Sequence, residues 1–233
     1  MIDKLIVWIK KRTNLKFFLK SPINFIYSVI LTLLYVDKWT YFPAILIHGK
    51  IKLKFIKKRK SYFEINGRLI LEQWMNGNES VSIYLDKGSE TVICNDFSIG
   101  NGVRIFVDKD ARLKIGGKKK ELGSGITAKS IIMVKKYLEI GSDCIIAWDT
   151  FLTDCDWHGI EGKYFQKQTI LGDHVWIGVG VKVLKGSIIG KESIVTTNSV
   201  VHNRLFDERT LISGNPAIVI KTDVSNWSRE MVS

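Results

Sequence analysis

LGDHVWIGVGVKVLKGSIIGKESIVTTNSVV, residues 171–201, divides into consecutive sixes and ends on the first residue of a further unit. Leu171, Ile177, Val183, Ile189, Val195 and Val201 lead the units, and Val175, Val181, Ser187, Ser193 and Ser199 put a small or β-branched residue four places later. A period of six cannot keep one apolar stripe on a helix of 3.6 residues per turn, and the hairpin pairs expected of a meander, such as Asn-Gly, are missing between the units. The pattern predicts a parallel β-helix: each unit is one short strand and a corner, three units close a turn, and the leaders point inward. Glycine at the second place, as in Gly141, Gly172, Gly178 and Gly190, suggests corners whose backbone conformation excludes residues with a Cβ. Working outward, IGSDCI and IAWDTF continue the pattern from Ile140 through Ile146 to Leu152, while ITAKSI begins at Ile126 and IGNGVR at Ile99.

Taken with LISGNPAIVIK after the last unit, these residues resemble the left-handed β-helix acyltransferases of the hexapeptide superfamily, in particular its sugar O-acetyltransferase branch of galactoside, maltose and polysaccharide acetyltransferases. The likeness runs over residues 126–222 and thins before them. It implies an all-β, left-handed parallel β-helix that forms a homotrimer, binds acetyl-CoA in clefts between neighbouring prisms, needs no metal, and uses a histidine on a loop that leaves the coil. The expected organisation is a basic helical appendage over 1–40, the β-helix over 41–222 with an inserted loop at 153–170, and a tail over 223–233.

The rhythm fails between Leu152 and Leu171, and the intervening TDCDWHGIEGKYFQKQTI holds His158. A loop on a rigid scaffold is a common mount for functional groups. Moving an acetyl group from a thioester to a sugar hydroxyl needs a base that titrates near neutrality, which makes His158 the candidate. Asp156 or Asp154 would orient the ring through its other nitrogen, with Asp156 preferred. Cys155 is close enough in sequence to act as a nucleophile, although a small apolar role suits it better. His48, His174 and His202 are expected to be ordinary surface.

On the coenzyme side, Trp176 stands at an outward place of its unit and, with Ile177 and Gly178, matches the family's WIG segment near the thioester. By the same resemblance Gly178 permits close approach of the coenzyme, Thr197 packs the pantetheine arm, and Lys221 meets a coenzyme phosphate. Where small-sugar members carry an asparagine for the acceptor, this chain has Lys129 and Ser130. That departure leaves the acceptor open, and the short helices and basic strands before Lys60, in place of the compact N-terminal cap of those enzymes, favour a larger, lipid-linked acceptor over a free disaccharide.

The 233 residues are 45% hydrophobic, enough for a substantial core and against disorder. Of the 35 lysines and arginines, 14 fall before residue 61 against two acids, whereas the remainder balances at 21 and 21, so the net +12 is all in the first quarter. Such a segment suits an anionic partner such as a membrane surface, contacted through residues 1–60. Helices are expected over residues 2–12 and from Ser21 and Pro22 to about Val36, with Asn24, Ser28 and Thr32 interrupting an apolar run too short to span a bilayer. Three cysteines without a CxxC pair point to a reducing cytoplasm, with a peripheral position on the inner membrane face as the variant. The expected function is acetyl-CoA-dependent O-acetylation of a surface polysaccharide or its lipid-linked precursor, and the alternative is N-acetylation of a nucleotide-linked amino sugar. A zinc β-helix of the carbonic anhydrase kind lacks its close histidine pair here, and neither a purely structural coil nor a nucleic-acid binder accounts for the histidine loop.

Overall fold

The computed structural model describes residues 17–118, 124–224 and 227–229. Three sheets of eight, nine and seven strands form the walls of a prism, and their strand orders advance by three along the chain, so each turn contributes one strand to each wall. Ladders are parallel until the end, where Ala217–Lys221 runs antiparallel to Leu211–Gly214 and closes the nine-stranded wall. This is the left-handed β-helix expected from the sixes.

The register explains why the period is visible. Leu171 pairs with Ile189, Ile177 with Val195 and Val183 with Val201, each 18 positions on. All six leaders are buried and join one apolar column running from Leu31 to Ala217. Left-handed backbone recurs at the fourth place of each unit, at His174, Gly180, Gly186, Glu192 and Asn198. The glycines at the second place are therefore conserved in the pattern for a different reason from the one expected. Gly172 and Gly190 have no positive φ; a Cβ on Gly190 would lie 2.4 Å from the Glu208 backbone nitrogen, and one on Gly172 would lie 2.7 Å from that of Lys191. Space between successive turns, not backbone conformation, excludes a side chain there.

The coil also starts earlier than the sixes suggest. Its first strand, Lys38–Trp39, pairs with Tyr62–Ile65 and lies inside the stretch expected to be a helical appendage. Upstream turns are longer and unequal: Ile45 stacks on Leu69, Ile83 on Ile105 and Ile105 on Ile132, at 24, 22 and 27 positions. Corner insertions therefore hide the period while the walls remain continuous.

The helix expected over residues 2–12 lies outside the described residues. The second runs Pro22–Tyr35, with Ser21 at its N-cap although no side-chain bond forms there. It closes the open end of the prism. The edge strand Ile45–His48 would otherwise present unpaired amides, and Thr32 Oγ1 accepts those of Ala44 and Ile45 while Ser28 Oγ accepts that of Ile47. Asn24, one turn before, donates to the Gly49 carbonyl. The polar interruptions at 24, 28 and 32 form one stripe that satisfies a sheet edge. No described helix is long and apolar enough to cross a membrane.

The outer faces of the walls differ. The eight-stranded wall carries ion pairs from rung to rung, Lys38 with Glu64, Arg112 with Glu90 and Lys114 with Glu139. The seven-stranded wall instead aligns Ile56, Tyr84, Phe106 and Met133 outward on successive rungs. The nine-stranded wall aligns Ile145, Trp176, Ile194 and Leu211. The eight-stranded wall also aligns Ile170, Ile188 and Leu205 outward on its last rungs, so its ion-paired stretch suits water while each wall presents an apolar ladder along part of its length.

Candidate active site

Leu152 pairs with Val183, 31 positions on instead of the 18 that separate Val183 from Val201, so thirteen extra residues leave the coil at the corner between the seven- and eight-stranded walls. They fold as a narrow two-armed projection, with Cys155 bridged to Gln166 and Ile160 to Lys163. Its base is fixed by Asp154, which is completely buried and accepts the backbone amides of Lys135, Lys136 and Tyr137 at 2.7–2.8 Å together with the Gln166 side chain at 3.1 Å. Trp157 fixes one arm. Its indole N–H donates to Thr153 Oγ1 at 3.0 Å, its ring meets Phe106 edge-on at 5.7 Å, and Lys135 lies over its face. These contacts hold Trp157 at φ 65°, a conformation unusual for a bulky residue.

The next residue, His158, projects from this anchor exposed and without a hydrogen bond, beside a cleft of about 320 Å³ lined by Lys135, Cys155, Trp157 and Phe165. The pairing expected between Asp156 and the ring is not formed. The Asp156 carboxylate is held by the ammonium of Lys185, which also donates to the Tyr164 carbonyl at 2.6 Å, so it braces the projection against the next turn of the coil. Asp154 is equally committed, to backbone. Burial pushes the Cys155 thiol above its ordinary pKa, which disfavours the thiolate a nucleophile requires.

Trp176, Gly178, Thr197 and Lys221 are gathered on the nine-stranded wall and its next corner. The Trp176 indole is 42% exposed on the outer face, and a Cβ on Gly178 would come within 2.7 Å of the Thr197 backbone nitrogen. Lys221 is exposed on the closing strand, in register with Leu211. Within one protomer the loop histidine and these residues occupy different edges of the prism.

Along the corner that carries Thr197, toward the N-terminal end, lies a cleft of about 410 Å³ between two half-exposed indoles, Trp74 and Trp148. Its floor is set by the buried Asn101, whose Oδ1 accepts the Trp74 amide at 2.7 Å and whose Nδ2 donates to Glu79 at 2.7 Å. Lys129 pairs with Glu79 at 3.1 Å. The Glu79 carboxyl is held below its ordinary pKa by its own backbone amide first, then by Lys129 and Asn101. Ser130 is buried and bonded to the carbonyls of Ala128 and Ala147, so of the two residues at the expected acceptor position only Lys129 faces the cleft.

His174 is not ordinary surface. Its Nδ1 meets Asp143 Oδ2 at 2.8 Å and its Nε2 meets the Trp227 carbonyl at 2.9 Å, while the Trp227 indole stacks on the ring at 3.9 Å between centroids and donates to the His174 carbonyl. Arg229 adds an ion pair to Asp143 at 2.7 Å. The tail thereby folds back beside Trp176, with the two indoles 6.0 Å apart. Sequence reasoning missed this because the repeat ends before the tail; the lone tryptophan in NWSR was the available signal.

Asp143 gives the clamp a pH dependence. Burial opposes its charge, but contacts from His174, Arg229 and Lys118 outweigh that and hold the carboxyl below its ordinary value. With the folded pKa depressed, this stabilisation is complete above the ordinary carboxylate pKa of about 4 and is lost as pH falls through the lower folded value. In protein labelled with fluorotryptophan, the Trp227 resonance is expected to shift toward its free position in that acid range while the Trp148 resonance stays put. Asp143→Asn should release the tail already at neutral pH.

No family model matches the chain. It is 36% identical over 98 residues to a protein of Escherichia coli named putative lipopolysaccharide biosynthesis O-acetyl transferase WbbJ, a match covering 35% of this chain and 48% of that one. It is 28% identical over 174 residues to a polysialic acid O-acetyltransferase of Neisseria meningitidis, covering 66% and 78%. The chain thus spans about half the length of the first of these relatives. Among solved structures, the polySia-specific acetyltransferase NeuO superposes with a TM-score of 0.51 at 22% identity, over 83% of this chain and 87% of that one, a likeness of fold. With the sixes in register, the histidine loop at a corner and relatives bearing these names, the chain has the left-handed β-helix fold and is similar to the hexapeptide-repeat acyltransferases.

Proposed function

We propose that the protein transfers the acetyl group of acetyl-CoA to a hydroxyl of a cell-surface saccharide, with His158 as general base at a boundary between protomers. The observation that carries this reading is the unpartnered imidazole of His158 on a braced projection, at one edge of an apolar wall, while Trp176 stands on the other apolar wall. Packing the seven-stranded wall of one protomer against the nine-stranded wall of the next repeats around a threefold axis and leaves the ion pairs of the eight-stranded wall in water. It also brings the histidine of one copy toward the tryptophan of its neighbour. The apolar ladders of those two walls are then covered, which is why a homotrimer is part of the proposal.

In this arrangement Trp176 offers its face to the pantetheine arm, the narrow approach at Gly178 admits it to the backbone, and Lys221 meets a coenzyme phosphate as a point charge. The acceptor enters the cleft beside His158, where Trp157 and Phe165 present apolar surfaces to the C–H face of a sugar and Lys135 presents its ammonium to the hydroxyls. An unprotonated His158 nitrogen takes the hydroxyl proton as that oxygen attacks the thioester carbonyl. The C–S bond then breaks, and the same proton passes from the ring to the departing thiolate, leaving acetyl ester and free coenzyme thiol. No covalent enzyme intermediate is needed, in keeping with the buried Cys155 thiol.

The test is incubation with acetyl-CoA and a panel of surface-polysaccharide repeat units, one set bearing only hydroxyls and one a free amine. The expected result is thiol release dependent on hydroxyl acceptors, with an alkali-labile acetyl ester found by mass spectrometry. Release with amines alone would establish the N-acetyl alternative. Failure to bind acetyl-CoA in calorimetry would end the acyltransferase reading.

A further inference from the structure

The helix that closes the prism is apolar on two opposite sides. Phe25, Ser28, Leu31 and Thr32 face inward and are buried. On the reverse arc, Ile23, Ile26, Ile30, Leu33 and Leu34 are 44–79% exposed, joined by Leu19 at 71% from the preceding helical turn. Packing on the coil accounts for the first face and, among the described residues, leaves the second uncovered. Five large aliphatic side chains on one side of a 14-residue helix make a continuous surface of a size that monomeric proteins seldom leave in water.

The charge around this stripe identifies what covers it. The exposed Lys50, Lys52 and Lys54 and the run Lys58, Arg59 and Lys60 lie on the strand and corner that follow the edge strand beneath the helix. Between residues 17 and 60 the only acid is Asp37, and Lys57 pairs with it. An aliphatic stripe flanked by unneutralised cations matches the interfacial zone of an anionic bilayer, where acyl chains receive the aliphatic groups and phosphates receive the ammonium groups. At about 1.5 Å per residue the helix is about 21 Å long, short of the roughly 30 Å hydrocarbon core, so it lies in the surface and does not span it.

We infer that the Pro22–Tyr35 helix and the basic strand beside it dock this end of the prism onto an anionic phospholipid surface. The inference is independent of the acetyltransferase reading. A second copy of the chain is the competing occupant of the stripe, but six like charges around it would face six more across such a contact.

The test is co-sedimentation of the full chain with vesicles of phosphatidylcholine and phosphatidylglycerol (7:3) and with vesicles of phosphatidylcholine alone. The expected result is binding to the anionic vesicles that weakens at least tenfold on removal of the anionic lipid or in 0.5 M salt. The triple variant Ile26→Ser, Ile30→Ser, Leu33→Ser and the variant Lys58→Glu, Arg59→Glu should each lose at least tenfold in affinity. All these side chains are exposed, so a native circular dichroism spectrum is expected for both. Wild-type protein that stays in the supernatant with anionic vesicles overturns the inference. So does an aliphatic variant that binds like wild type, or self-association without lipid that the aliphatic variant abolishes. Thiol release with a soluble acceptor is expected to be unchanged in both variants, which keeps this outcome apart from that of the function test.

Discussion

His158→Ala is expected to lower acetyl transfer by about 10²–10⁴-fold, the range that a positioned general base contributes, while leaving the melting temperature and acetyl-CoA affinity at wild-type values. The two halves of this expectation have different sources. The ring is exposed and makes no hydrogen bond, so its removal leaves no buried group unpaired and falls among surface changes worth within about 0.5 kcal/mol. In the proposed mechanism its nitrogen receives the hydroxyl proton, so the loss belongs to kcat and not to coenzyme binding. Steady-state thiol release, with calorimetry for the coenzyme, separates the two, and added imidazole should restore part of the rate to the alanine variant. Wild-type turnover in His158→Ala would remove the imidazole from the mechanism. Asp156→Asn sharpens the reading. A carboxylate that orients a catalytic histidine is worth about 10⁴-fold in kcat, whereas one that braces a loop through Lys185 should cost less than tenfold and be matched by Lys185→Met.

What could be read from the chain beforehand follows from which interactions are periodic. The leaders at Leu171 to Val201 declare the fold because every inward position repeats at the spacing of the corners, and no other architecture places residues six apart on one buried line. The same turns continue up to Lys38, but corners of unequal length erase the period there, and alternation such as Phe63 and Ile65 inward with Tyr62 and Glu64 outward is all that survives. The loop that carries His158 was legible because a break in a period is itself a signal. Its supports were not. Lys185, Phe106 and Lys135 reach the loop from other turns, and sequence distance says nothing about which rungs become neighbours. Whether the Pro22–Tyr35 helix packs on the protein's own body or faces outward is not readable from its sequence for a related reason: each arrangement needs one apolar face, and this helix has two.

Asp154 brings the opposite expectation from His158, and the contrast distinguishes chemistry from scaffold in one loop. Asp154→Ala should destabilise the protein by about 3–5 kcal/mol, because the backbone amides of Lys135, Lys136 and Tyr137 all lose the one buried carboxylate that accepts them. For a chain of this size that corresponds to a fall on the order of 10 °C in melting temperature. Asp154→Asn should recover little of it, since the amide turns an N–H toward donors where the carboxylate offered a second oxygen. The far-ultraviolet spectrum should remain that of a β-helix at room temperature, because the walls are held by ladders that do not pass through this side chain. The coil corner at Lys135–Tyr137 and the base of the projection share the one carboxylate, so activity should fall together with protection of the Lys135–Tyr137 amides in hydrogen exchange. If Asp154→Ala instead melted like wild type while losing turnover, the carboxylate would be acting on the imidazole, and the orienting role expected of Asp156 would pass to Asp154.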